Sequence, residues 1–295
     1  MGERMSDNLN SEINLRPLWD ALLDAYEVFA DICERHGLRY CADAGTALGA
    51  VRHGGFIPWD DDIDIQMPRP DYEKFIEIAK RELPKGYAWL DKDNCSSYHQ
   101  GFGKVIVTDE QVVDRVAAES RLKLSQGIFI DVFPLDGYPD SWWGRKWRKV
   151  QNHVVHFRVK FNHGWCGNPT LKGKIAYLLG MLLLPFNYRI PTERARVEFY
   201  ERRAKGYPFG STQKCVSIGI SQYFNDNPYD FCFFGVPQKV PFDRVKMPVQ
   251  GNVDGYLRAK FGDYMKLPPE DKRRPGHDTS DYEPWRLGWD AHTTN

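Results

Sequence analysis

The sequence of 295 residues lacks several features that would assign it quickly to a class of proteins. Its 40 basic and 40 acidic side chains cancel, so there is no excess of Lys and Arg to bind nucleic acid phosphates, and we expect no nucleic acid partner. Its six cysteines form no CxxC pair and have no zinc-ligand spacing, which excludes a disulfide framework and favours reduced thiols. No apolar run approaches the roughly 18 residues of a membrane-spanning helix, and the polar N-terminus is not of the secretory type. These absences predict a cytoplasmic protein.

The charge is divided unevenly along the chain. Residues 1–140 contain 26 acidic and 15 basic side chains, whereas residues 141–192 contain nine basic side chains and no acidic one. Such asymmetry indicates regions with different roles. We expect a catalytic core over 1–140, a basic helical insertion over 141–206, and a C-terminal part, 207–295, that completes the core.

Hydrophobic periodicity predicts a mixed α/β or α+β sheet flanked by helices. Apolar residues between Leu15 and Cys33 recur with a period near 3.6, which indicates a helix that Gly37 ends. Further helices are predicted after Thr46, after Pro70 and at about 142–162, 171–184 and 192–206. Strands are predicted at about 39–44, 62–67, 87–90, 103–108, 111–116 and 127–133.

The most informative segment is the acidic strand DDDIDIQM, residues 60–67. Because side chains alternate along a strand, Asp62 and Asp64 share one face, and the isoleucines between them point into the core. Two adjacent carboxylates repel each other unless a cation lies between them, and their oxygens suit Mg²⁺ or Mn²⁺. We therefore predict a metal site at Asp62 and Asp64, with Asp60 and Asp61 as outer charge or a further ligand. The alternative is a solvated acidic loop.

A phosphate-binding turn is predicted just before this strand. Gly45 and Thr46 lie between a predicted strand and a helix, where backbone amides bind phosphate and glycine permits close approach. Arg52, about two turns later, could reach the same phosphate as a bidentate donor, or could be an ordinary surface arginine.

This strand–helix–strand unit resembles the nucleotidyltransferase fold, in which a Gly-Ser or Gly-Thr turn precedes an Asp-x-Asp strand. The resemblance implies a third carboxylate on a later strand, here Asp131 in GIFIDVFPLDGYP. Together with the segments at 44–75 and 256–277, these residues are similar to the LicD family, which includes fukutin and fukutin-related protein. Unlike for those animal relatives, we expect no secretory anchor and no large N-terminal domain.

The resemblance implies a transferase that uses the pyrophosphate of a CDP-alcohol. An acceptor hydroxyl would attack the phosphorus bearing the alcohol and release CMP, with Mg²⁺ or Mn²⁺ held by Asp62, Asp64 and Asp131. The acceptor would be a cell-surface glycan, such as lipopolysaccharide or teichoic acid, or its lipid-linked precursor. Phosphocholine is the group that the resemblance to the family's bacterial members implies, and ribitol or glycerol phosphate stays open. Aromatic faces bind quaternary ammonium, but aromatic residues more often build the core, so the nine tryptophans do not select choline.

Two further site residues follow from the family pattern. Lys104 in GFGKVIV is expected to contact phosphate, the alternative being a lysine that protects an edge strand. His277 in RRPGH matches a histidine of the family and would act as general base or bind phosphate, unless it is structural.

The basic segment 141–192 permits two interpretations. It begins with WWGRKWRK and contains the apolar run IAYLLGMLLLPF. These residues could dock the protein peripherally on a membrane, beside a lipid-linked acceptor, or could form a helical hairpin of the core. Two other functions also stay open: a true nucleotidyltransferase that releases pyrophosphate, and a non-catalytic glycan- or nucleotide-binding module, which would need no set of three carboxylates.

Overall fold

The computed structural model describes residues 14–121, 124, 127–162, 192–217 and 228–273. Within these residues, seven strands form one mixed sheet, whose main path runs β1 (Cys41–Ala42), β2 (Asp64–Pro68), β5 (Phe129–Tyr138), β4 (Gly103–Val107) and β3 (Tyr87–Leu90). Helices flank this sheet, which confirms the predicted fold class.

Strand β5 organises the sheet because it pairs with three other strands. It runs parallel to β2, and its N-terminal half pairs with β4 in the antiparallel direction. Its C-terminal half pairs with β6 (Lys214–Ser217), which in turn pairs with β7 (Tyr229–Asp230). All ten residues of β5 are buried, as expected of a central strand.

Helices α1 (Arg16–Arg35), α3 (Arg69–Glu82) and α4 (Glu110–Ser120) pack on one another or on the sheet. The apolar face of α1 is buried from Leu18 to Cys33, and Gly37 follows in the left-handed conformation. The predicted first helix and its glycine stop are therefore confirmed.

One predicted strand is wrong. The segment 111–116 forms the first half of α4, not a strand. The Asp109 carboxylate caps this helix by accepting hydrogen bonds from the amides of Gln111 and Val112. Val113 and Val116 are buried one helical turn apart, so the valines follow a helical period although they are β-branched.

The C-terminal part joins the same core. Strands β8 (Gln238–Phe242) and β9 (Val245–Val249) form a hairpin, and α7 (Val253–Phe261) follows it. Phe242, Met247 and Tyr256 from these elements are fully buried in the cluster that also contains α1.

The basic segment is described in part. Helix α5 (Trp142–Asn162) and helix α6 (Glu193–Lys205) agree with the predictions at 142–162 and 192–206. The predicted helix at 171–184 and its apolar run lie outside the described residues. Of the helices that the structure describes, none combines the length and the hydrophobicity needed to cross a bilayer.

Candidate active site

The acidic segment lies between helix α2 (Ala44–Arg52) and strand β2. Ile63 and Ile65 are completely buried, whereas Asp62 and Asp64 are partly exposed, as the alternation predicts. The loop before the strand is anchored from α1, because the indole nitrogen of Trp19 donates a 2.8 Å hydrogen bond to the carbonyl of Asp60. A contact from α1 therefore holds the backbone of the loop that carries the first of these carboxylates.

The structure brings Asp131 next to the acidic strand. Asp64 on β2 is the direct register partner of Asp131 on β5. The pairing continues one residue further, since the amide of Asp131 donates to the carbonyl of Ile63 at 2.9 Å. Two carboxylates predicted from distant parts of the sequence thus lie on neighbouring parallel strands.

The electrostatics of this cluster favour a bound cation. Burial raises the pKa of Asp64 well above its usual range, and the charges of Asp62, Asp131 and Asp43 raise it further. Among the residues that the structure describes, carboxylate oxygens of Asp60, Asp61 and Asp62 lie within 4.8 Å of one another. An oxygen-only donor set with surplus negative charge suits a hard divalent ion such as Mg²⁺.

A buried lysine lies beside Asp131 on the neighbouring strand. Lys104 on β4 is the register partner of Asp131, and its Nζ lies 2.8 Å from Asp131 Oδ1. The same ammonium lies 3.3 Å from the centre of the Phe129 ring. Lys104 is only 3% exposed, so it is not the solvent-facing edge lysine of the alternative interpretation. It places one fixed positive charge at the site, and contact with phosphate stays a prediction.

The Gly-Thr turn supports the acidic strand. The Thr46 hydroxyl accepts a 2.8 Å hydrogen bond from the amide of Asp64, which ties α2 to β2. A Cβ at Gly45 would come within 2.6 Å of Asp60 Oδ2, so only glycine allows that carboxylate to lie against the first turn of the helix. The role of this turn in holding phosphate stays a prediction, whereas its role in positioning aspartates is direct.

A second cation reaches the site from the C-terminal part. Lys260 on α7 lies 2.9 Å from Asp43, the fully buried N-cap residue of α2. Burial lowers the pKa of Lys260, but Asp43, Tyr229 and Asp64 raise it by more, so the ammonium stays charged. The Tyr256 hydroxyl donates to Asp43 and accepts a 3.0 Å hydrogen bond from Gln66.

Sequence reasoning missed the roles of these residues. Asp43 lies two residues before Gly45, at the N-cap position of the helix, and an aspartate there was a usable signal. Tyr256 and Lys260 lie in YLRAKFGDY, part of the segment on which the family resemblance depended, but only the fold shows that they face Asp43.

The last two predicted site residues are placed differently. Arg52 Nη1 donates a 2.6 Å hydrogen bond to the carbonyl of Tyr264, so the guanidinium joins α2 to the C-terminal segment. A phosphate contact from Arg52 stays a prediction. His277 lies outside the described residues.

The sequence that forms this site is similar to known proteins. Residues 37–166, which include Asp62, Asp64, Lys104 and Asp131, match the family model described as LicD/FKTN/FKRP, nucleotidyltransferase domain. The chain is 26% identical over 283 residues to the lipopolysaccharide cholinephosphotransferase LicD of Haemophilus influenzae, covering 90% of this chain and 97% of that protein.

Shorter matches point in the same direction. A stretch of 74 residues is 42% identical to human ribitol 5-phosphate transferase FKRP, covering 23% of this chain and 15% of that protein. A stretch of 68 residues is 42% identical to an uncharacterized protein of Rickettsia prowazekii, covering 22% and 26% of the two chains. Residues 37–166 therefore match the nucleotidyltransferase domain of the LicD, FKTN and FKRP family, and nearly the whole chain is similar to a protein named as a transferase.

Proposed function

We propose that the protein transfers a phosphoalcohol group, phosphocholine first of all, from a CDP-alcohol to a hydroxyl of a glycan or a lipid-linked glycan precursor. The observation that supports this most is the pairing of Asp64 with Asp131 between two lysine ammonium groups, one buried and one partly buried. Lys104 lies against Asp131, and Lys260 lies against Asp43 beside Asp64. A site with alternating negative and positive groups suits a metal-bound, doubly charged pyrophosphate.

In the proposed reaction, the acceptor oxygen attacks the phosphorus that bears the alcohol. The bond from this phosphorus to the bridging oxygen breaks, CMP leaves with that oxygen, and the acceptor hydroxyl loses its proton. A divalent ion held by Asp62, Asp64 and Asp131 would neutralise phosphate charge when bound. Lys104 and Lys260 add fixed positive charge, and Thr46 keeps the backbone of Asp64 in place.

The relatives guide the choice of donor. The bacterial relative that matches nearly the whole chain is named a cholinephosphotransferase, which puts CDP-choline first. The match of 74 residues to FKRP, which is named a ribitol 5-phosphate transferase, makes CDP-ribitol the second candidate. For the acceptor we propose a glycan of the lipopolysaccharide type, because the same bacterial relative is named for lipopolysaccharide.

The test is a panel of CDP-choline, CDP-ribitol and CDP-glycerol, each incubated with the purified protein and Mg²⁺, Mn²⁺ or EDTA. Release of CMP that requires the metal and favours one donor is the expected result. Release of pyrophosphate would instead indicate a nucleotidyltransferase. Asp62→Asn is the inactive reference, and Asp114→Asn, at an exposed position on α4, is the matched control.

A further inference from the structure

Helix α5 presents large apolar side chains to solvent. Trp142, Trp143, Trp147 and Val150 are 52%, 77%, 44% and 46% exposed. At about 100° per residue, these four residues and Lys146 fall within a single arc of roughly 140° on the helix surface. We call these five residues the tryptophan face.

The opposite side of the same helix buries polar groups. Arg148 and Asn152 are 5% and 6% exposed, and the Arg148 guanidinium lies 4.7 Å from the centre of the Tyr138 ring. An ordinary surface helix buries its apolar stripe and exposes its charges. The polarity of α5 is inverted over its first turns, so the tryptophan face is not explained by packing of the core and indicates an external contact.

The charged side chains of α5 beside the tryptophan face are all basic. Lys146 lies within it, 5.4 Å from the centre of the Trp142 ring, and Lys149 follows just beyond its Trp142 edge. Residues 141–192 contain no acidic side chain. A surface of tryptophan interleaved with lysine complements the boundary between acyl chains and anionic headgroups.

We propose that the tryptophan face docks the protein on the surface of a membrane that contains anionic lipid. Trp143 and Trp147, at the centre and one side of the arc, enter the interfacial layer, and Lys146 contacts lipid phosphate. Tryptophan prefers this layer because its ring is apolar and its N–H can still be hydrated.

The docking surface is separate from the candidate active site. Strand β5 runs from Asp131 at the acidic cluster to Tyr138, a span of about 23 Å at roughly 3.3 Å per residue. Helix α5 begins beyond that far end. Changes to the tryptophan face should therefore leave the chemistry at Asp64 and Asp131 intact.

The test is sedimentation of the full chain with vesicles of phosphatidylcholine alone or mixed with phosphatidylglycerol, at low and at physiological salt. We compare the native protein with Trp143→Ser/Trp147→Ser and with Lys146→Gln. The matched control is Val236→Ser, because Val236 is 85% exposed but lies outside the tryptophan face. Circular dichroism and the thermal unfolding curve verify that each variant is folded.

We expect binding to the anionic vesicles that weakens with salt, and a loss of at least about tenfold in the double tryptophan variant. Lys146→Gln should lose about three- to fivefold and Val236→Ser should bind normally. Absence of binding to anionic vesicles at low salt, or equal binding of the tryptophan variant, would overturn the proposal. Self-association that is lost in the tryptophan variant, without vesicle binding, would also overturn it and assign the face to a second copy. Neither outcome depends on which CDP-alcohol is the donor.

Discussion

Two clusters of charge lie on the same strand and behave differently. At one end of β5, Asp131 pairs with Asp64, and the charges of Asp62 and Asp43 also act on Asp64. Two lysines in the described part of the chain, Lys104 and Lys260, lie against this group of four carboxylates. Toward the other end, Asp136 is completely buried and accepts hydrogen bonds of 2.9 and 2.6 Å from Arg69.

The two clusters differ in whether each negative charge has its own positive partner, and this distinguishes a structural ion pair from a candidate active site. The Arg69–Asp136 pair is neutral and bidentate, which is how a buried charge is made tolerable in a folded core. The acidic cluster keeps surplus charge at a cost to the fold, which is what a site for a cation and a phosphate requires. A local excess of charge, and not burial of charge as such, marks the candidate active site.

The largest effect is expected from the acidic cluster. Asp62→Asn or Asp64→Asn should lower the rate of CMP release roughly a thousandfold or more, equivalent to about 4 kcal/mol, because a metal ligand is lost. The melting temperature should stay the same or rise, since repulsion between the carboxylates is relieved. Calorimetry and a donor turnover assay measure both quantities. Near-native turnover in either variant would remove that residue from the site.

Substitution in the Arg69–Asp136 pair should lower stability and leave turnover nearly unchanged. Arg69→Met leaves Asp136 charged and unpaired in the core, so the free energy of unfolding should fall by about 3 to 5 kcal/mol. Turnover per folded molecule should change little, because the pair holds α3 against β5 and touches no proposed ligand. Urea unfolding gives the stability, and activity is measured well below the melting temperature. A stable but inactive Arg69→Met variant would contradict the division between the two clusters.

Asp131 is a member of the acidic cluster and also one half of a buried ion pair with Lys104. Asp131→Asn should abolish turnover and also cost about 3 kcal/mol of stability, since Lys104 loses its buried partner. Adding Lys104→Met should recover much of the stability without restoring turnover. The double-mutant cycle separates the two roles. Recovery of activity in the double variant would show that Asp131 is only a partner for Lys104.

The sequence predicted the acidic strand of the site better than the position of Asp131 beside it. Local alternation was sufficient to place Ile63 and Ile65 inside and Asp62 and Asp64 outside, because neighbours on a strand are set by the chain itself. The register of Asp131 with Asp64 needed the family pattern, since strand pairing is not encoded locally.

Residues that reach the site through tertiary contacts could not be placed from the sequence. The salt bridge of Lys104 with Asp131 depends on antiparallel pairing of β4 with β5. The approach of Lys260 to Asp43 depends on where α7 packs against α2. The error at 111–116 is of another kind, since the Asp109 cap was visible and the preference of valine for strands was given too much weight.

The smallest effect concerns the contact of Asp60 with the first turn of α2. Gly45 is not in the left-handed region, so Gly45→Ala strains no backbone and should change stability by less than about 1 kcal/mol. The new Cβ must instead displace the Asp60 carboxylate, which it would approach within 2.6 Å. If the negative charge of Asp60 helps to hold the metal ion without contacting it, turnover of Gly45→Ala should fall roughly tenfold.

The control is the double variant Gly45→Ala/Asp60→Ala. Its turnover should equal that of Asp60→Ala, because the carboxylate that the new Cβ would displace is already absent. Additive losses in the double variant would mean that Gly45 acts through close approach of phosphate to its backbone, not through Asp60.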